Sequence, residues 1–213
     1  MTPETSAAAA DERFTSRLEA FSDLVFGFSL SLVATRLDVP AKAQDIFASA
    51  RWFAVIGTFG FVCRFWLEHY RIFRHRFVAS MFDACVNFVF LFAIAILPYA
   101  VQTFLRFGMV YASFGLYLGD FVLILSTLAI LRLRGLRQRR DDPDLAGRLH
   151  DWRRTVLHAL LAALFAALLV LLYERGSTST TLRDFDVYLI GISAVVLFAG
   201  RRLTRRLPRF LVR

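Results

Sequence analysis

Residues 82–104 read FDACVNFVFLFAIAILPYAVQTF. After Asp83 this stretch carries no charged side chain, and a helix needs roughly 20 largely apolar residues to cross a bilayer. Pro98 lies inside the run and should kink the helix or mark its end. The pattern repeats on both sides. Expected spans run from Phe14 to Leu37, Trp52 to Phe73, Phe82 to Phe104, Val110 to Leu131, Thr155 to Tyr173 and Phe185 to Gly200. The whole chain of 213 residues is 57% hydrophobic and 20% charged, with a mean hydropathy of +0.54. Soluble domains average about 45–50% apolar and about 25% charged. One globule of this size cannot hide the excess. The composition excludes a disordered chain, collagen and a disulfide scaffold. It specifies an all-α integral membrane protein with six transmembrane helices.

The charges support the count. The chain carries 26 basic residues against 17 acidic ones, a net charge of +9, and Lys42 is its one lysine. With both termini cytoplasmic, Arg13, Arg17, Arg71, Arg74, Arg76, the stretch Arg132 to Arg154 and the tail Arg201 to Arg213 all fall inside. Arg36, Lys42, Arg51, Arg106, Arg175 and Arg183 fall outside. Cytoplasmic segments of membrane proteins concentrate Lys and Arg, and an odd number of spans would erase the asymmetry. The arginines therefore report topology rather than nucleic-acid binding. Residues 132–154, with Asp141-Asp142-Pro143-Asp144 in their middle, read as the one sizeable loop, solvated and topogenic. Residues 1–12 are acidic and Ala-rich, and read as a disordered segment rather than a signal peptide. Residues 13–200 read as a six-helix transmembrane domain, and 201–213 as a basic cytoplasmic tail. Cys63 and Cys85 sit within apolar runs as small buried hydrophobes.

Polar groups inside spans mark packing contacts or pathways. The first span holds the most. Arg17, Phe21, Leu24, Phe28, Ser31, Leu32 and Thr35 follow one another at helical spacing along one face. That face suits a narrow pore lining, with hydroxyls replacing ion hydration and apolar rings gating by dewetting. Pattern alone favours plain helix packing, since small hydroxyl residues let helices approach. In the second span Arg64 and Glu68 are spaced to pair, and Trp66, His69 and Phe73 form a stripe. His69 reads as an interhelical hydrogen-bonding group, as does Asn87. His158 reads as a satisfied interior histidine, and His75 and His150 as loop residues. Asp120 and Asp186 have no partner evident in sequence. No P-loop, Rossmann glycine pattern, nucleophile elbow, kinase signature or metal motif occurs. The sequence thus reads as a non-enzyme without cofactor or metal. The potassium filter sequence T-V-G-Y-G is also absent.

The segment Arg17-Leu18-Glu19-Ala20-Phe21-Ser22-Asp23 has the form R-x-x-x-F-S-D at the start of a first span. It resembles the signature of the endolysosomal potassium channel family known as transmembrane protein 175, in its short prokaryotic branch. Asp38-Val39-Pro40 after the first span, the W-x-x-H-x-x-x-F stretch from Trp66 through His69 to Phe73, and Leu97-Pro98 extend the likeness. The resemblance implies a homotetramer of six-helix subunits in the bacterial inner membrane. The first helix of each would line a potassium-permeable pore without a re-entrant filter. It implies that Phe28 stands where the family places a bulky aliphatic constriction, followed along the pore by Ser31, Leu32 and Thr35. It implies that Arg17, Phe21, Ser22, Asp23, Trp66 and His69 form a structural network holding the pore helix. A non-conducting membrane scaffold or small-ligand binder of the same fold is the alternative, and Phe28 is the feature that favours it. Reporter fusions after Arg140 and after Arg213 should both read cytoplasmic; a periplasmic signal at either place would remove the six-span topology.

Overall fold

Helix α1 (Pro3–Thr35) begins with a proline, whose fixed φ and missing N–H suit a first helical turn. It runs back through residues 3–12, where disorder was expected, because Ala7–Ala10 are the strongest helix formers available. The computed structural model describes residues 3–35, 42, 49–74, 77–108, 110–139 and 144–176. The expected sixth span, the basic tail, Asp38-Val39-Pro40, His75 and Asp186 lie outside them. Helices α2 (Ser49–Phe73) and α3 (Met81–Phe107) complete the described part of a first compact unit, residues 1–106, which takes in all but the last residue of α3.

One face of α1 is buried: Thr15, Leu18, Ser22, Phe26, Ser29 and Val33, spaced three or four apart. Three of these six are hydroxyl residues, and each is bonded. Thr15 Oγ1 donates to Asp11 O (2.9 Å) and accepts from the Ala79 amide (2.9 Å). Ser22 bonds within the cluster described below, and Ser29 Oγ donates to Ile94 O across to α3 (2.6 Å). The start of α3 is fixed by a capping box in which Asp stands in for the usual Glu. The Asp83 amide donates to Ser80 Oγ (3.3 Å), and the Ser80 amide and hydroxyl both donate to Asp83 Oδ2 (3.0 and 2.6 Å). Pro98 neither ends α3 nor breaks it; the helix continues to Phe107. Gly108, at φ 65, then closes it in the left-handed region that costs other residues most.

The second unit, residues 107–213, contains α4 (Tyr111–Gln138) and α5 (Leu145–Gly176). They form an antiparallel hairpin. Phe121 meets Phe165 edge-on, Arg132 Nη1 lies 3.4 Å from His158 Nδ1, and Arg139 pairs with Asp151 at 3.4 Å. The expected loop over 132–154 is therefore mostly helix, and His150 is helical too. Leu and Arg are good helix formers, so α4 carries its arginines to Gln138. Asp144 Oδ1 then accepts from the Gly147 amide (3.0 Å) and caps α5. At ~1.5 Å per residue the two helices are about 42 and 48 Å long, beyond the ~30 Å of a hydrocarbon core. Their charged ends project past the apolar layer. Asp120 is buried in α4, and its Oδ2 has no partner among the described residues.

Four described helical segments are long and apolar enough to cross a membrane: Ala9–Thr35, Met81–Phe107, Tyr111–Gln138 and Ala146–Glu174. Helix α2 covers the expected second span but is not among them, because Arg51, Arg64, Glu68 and Arg71 interrupt its apolar character. Its second half answers the charge internally. Buried Glu68 pairs with Arg64 one turn before it and with Arg71 Nη1 at 3.1 Å.

Candidate functional site

A polar cluster joins α1, α2 and α3 within the first unit. Ser22, His69 and Asn87 are all fully buried. Ser22 Oγ donates its single proton to Leu18 O (2.7 Å). It accepts from Asn87 Nδ2 (2.9 Å), which leaves Asn87 Oδ1 facing His69 Nε2 at 2.8 Å. An amide oxygen only accepts, so His69 carries its proton on Nε2. The bonds run one way, from His69 to Asn87 to Ser22 to the Leu18 carbonyl. Such chains polarise each member in turn. The imidazole is enclosed by rings: Phe73 at 4.5 Å, Phe90 at 5.4 Å and nearly parallel, and Phe26 at 5.8 Å. At the edge of the cluster Trp66 Nε1 donates to Asp23 Oδ1 (2.8 Å), and Trp66 stacks on Tyr70.

The cluster brings together Ser22, Asp23, Trp66 and His69 of the expected network. Phe21 stands apart: it packs edge-on against Phe88 of α3 with its ring centre 5.8 Å away. Arg17 is exposed and makes no hydrogen bond or ion pair among the described residues. It lies five positions before Ser22, about 140° around the helix, and so faces away. Asn87 is the central member, and the sequence reading placed it only as an interhelical hydrogen bonder. The missing signal was geometric: a histidine and a serine on other helices both need an amide between them.

Opposite its buried stripe, α1 leaves a second face uncovered. Leu24 is 72% exposed, Phe28 60% and Phe21 47%. Ser31 and Thr35 are exposed as well, and Leu32 is half-buried. The Ser31 hydroxyl donates to Gly27 O (3.0 Å) and that of Thr35 to Leu32 O (3.1 Å). Both protons are thus committed to the helix backbone. The oxygens keep lone pairs for whatever lies along this face. Among the described residues no group of three or more His, Cys, Asp or Glu side chains is placed to hold a metal ion.

Residues 17–98, from Arg17 to Pro98, match the family described as "Endosomal/lysosomal potassium channel TMEM175". The matched segment contains the whole cluster and the uncovered face of α1. A solved structure, that of a lysosomal potassium-selective channel TMEM175 homolog from Chamaesiphon minutus, is similar with a TM-score of 0.60. The likeness covers 90% of this chain and 98% of that one at 17% identity, a likeness of fold. No curated relative matches the chain.

Asn87→Leu strands both Ser22 and His69 in a dry site. At about 1–3 kcal/mol per stranded group, it should cost about 2–6 kcal/mol of stability. Trp66→Phe removes one bond to the exposed Asp23 and should cost about 1 kcal/mol. Thermal unfolding in detergent, followed by tryptophan-independent light scattering, ranks the two; equal losses would show that Asn87 is not the centre of the cluster.

Proposed function

We propose, from the match of residues 17–98 to the TMEM175 family, that the chain is a member of that family and a passive potassium-permeable channel of the bacterial inner membrane. Conduction needs no covalent chemistry and no cofactor; potassium is the permeant species. The subunit has six spans, with the sixth at residues 185–200, both termini cytoplasmic, and it assembles as a homotetramer with α1 lining a fourfold pore.

The observation that carries this reading is the two-sidedness of α1. One face is pinned to α2, to α3 and to the chain leading into α3 by Thr15, Ser22, Phe26 and Ser29, and the other presents Phe28, Ser31 and Thr35 exposed with Leu32 half-buried among them. A membrane helix with hydroxyls on its free face gains most by sharing them around an axis, and closed cyclic symmetry is the usual arrangement. The lone pairs of Ser31 and Thr35 suit a partly dehydrated cation. Four Phe28 rings around the axis would form an apolar constriction that excludes a continuous water column at rest. Outward displacement of α1 opens it. The same bulky ring favours the second reading, a non-conducting scaffold of the same fold.

Purified protein in liposomes with an outward potassium gradient separates the two. The channel reading expects potassium flux that Phe28→Ala raises several-fold with weakened preference over sodium. Phe26→Leu, on the buried face, should change neither. No flux from the parent and from Phe28→Ala alike would leave the scaffold reading.

A further inference from the structure

Pro98 has no amide hydrogen, so the carbonyl four residues before it, that of Ile94, lacks the amide donor that an unbroken α-helix would give it. Ile94 is fully buried in a span where water does not reach, and a polar group left alone there is costly. Its partner is on another helix. Ser29 Oγ donates to Ile94 O at 2.6 Å, shorter than the 2.9 Å bond from Asn87 to Ser22, and Ser29 is itself fully buried. The proline ring also crowds the carbonyl of residue i−4, and it is this oxygen that meets α1.

We propose that Ser29 and Pro98 form a latch that sets the rotation of α1, making Ser29 a positioning residue for the face carrying Phe28, Ser31 and Thr35. This rests on the channel reading only for its effect on flux. Ser29 lies between Phe28 and Ser31 in sequence, so the one bond that holds it fixes where both neighbours point. Any turn of α1 that moves Phe28 off an axis must stretch or break the bond to Ile94 and strand its carbonyl. The latch belongs to the membrane interior, whereas the His69–Asn87–Ser22 chain lies about two turns away along α1.

The test is a double-mutant cycle with a readout of helix position. Ser29→Ala should lower the thermal midpoint in detergent by about 5 °C. Pro98→Ala gives Ile94 O an amide partner inside α3, so Ser29→Ala in that background should lose less than half as much. Ser29→Thr keeps the hydroxyl and should stay near the parent. In a Cys63→Ala, Cys85→Ala background, a cysteine placed by Val33→Cys on the buried face reports rotation. Ser29→Ala should speed its modification by N-ethylmaleimide several-fold, and Ser29→Thr should not. Equal losses in both proline backgrounds would overturn the Ile94 acceptor. Unchanged modification would overturn the positioning role, leaving Ser29 as a packing contact. Potassium flux is read in parallel. A parent without flux removes the channel reading while the cycle and the thiol rates still decide the latch.

Discussion

Every polar group carried into hydrocarbon must find its partner inside the protein, because no water is there to take its place. This constraint decides how α1 is used. Its hydroxyls divide into two sets. Those of Thr15, Ser22 and Ser29 each bond outside their own helix, the first two by accepting from an amide and an asparagine and the third by donating to the Ile94 carbonyl. Those of Ser31 and Thr35 fold back on the α1 backbone. The first set commits one side of the helix to α3 and to the chain leading into it. The second leaves the other side chemically self-sufficient, able to stand uncovered without an orphaned donor. A helix built this way has a fixed side and a free side before any neighbouring copy is considered.

The charged half of α2 obeys the same constraint by different means. A lone buried glutamate would be among the most expensive side chains in the molecule. Glu68 is instead flanked along its own helix by Arg64 and Arg71, whose side chains remain about half exposed. The two arginines bring the counter-charge without being buried themselves. The adjoining His69 is left to its ring of phenylalanines and to Asn87.

Periodicity and charge made much of this legible. The apolar runs located all five described helices. The one-turn spacing of Arg64 and Glu68 anticipated their pairing, and Trp66 and His69 were recognisable on a common stripe. Two kinds of feature were hidden. Helix ends in charged sequence are hard to read because arginine counts against a membrane span yet favours a helix, so α4 and α5 extend well past the apolar residues, to Gln138 and from Leu145. Interhelical bonds to backbone were hidden as well. Ser29 looks like any small residue of an apolar helix, and its partner is a carbonyl that no sequence displays. Asn87 was visible as a polar residue in a span, but its place between His69 and Ser22 depends on how three helices are rotated.

The direction of the His69–Asn87–Ser22 chain has a consequence for proton order. A run of hydroxyls and amides whose two ends can each give or take is degenerate: every bond can flip in concert, and the network then exists in two arrangements. Here the terminus is the Leu18 carbonyl, which has no hydrogen to return. Reversing the order would turn the Ser22 proton to Asn87 and give up its bond to the Leu18 carbonyl, so the observed ordering is favoured by about one hydrogen bond. That bias selects one tautomer, one amide orientation and one hydroxyl rotamer. A proton entering at His69 has no exit at the far end. The chain is a ratchet with only one tooth, suited to registering three helices against one another and unsuited to passing protons between them.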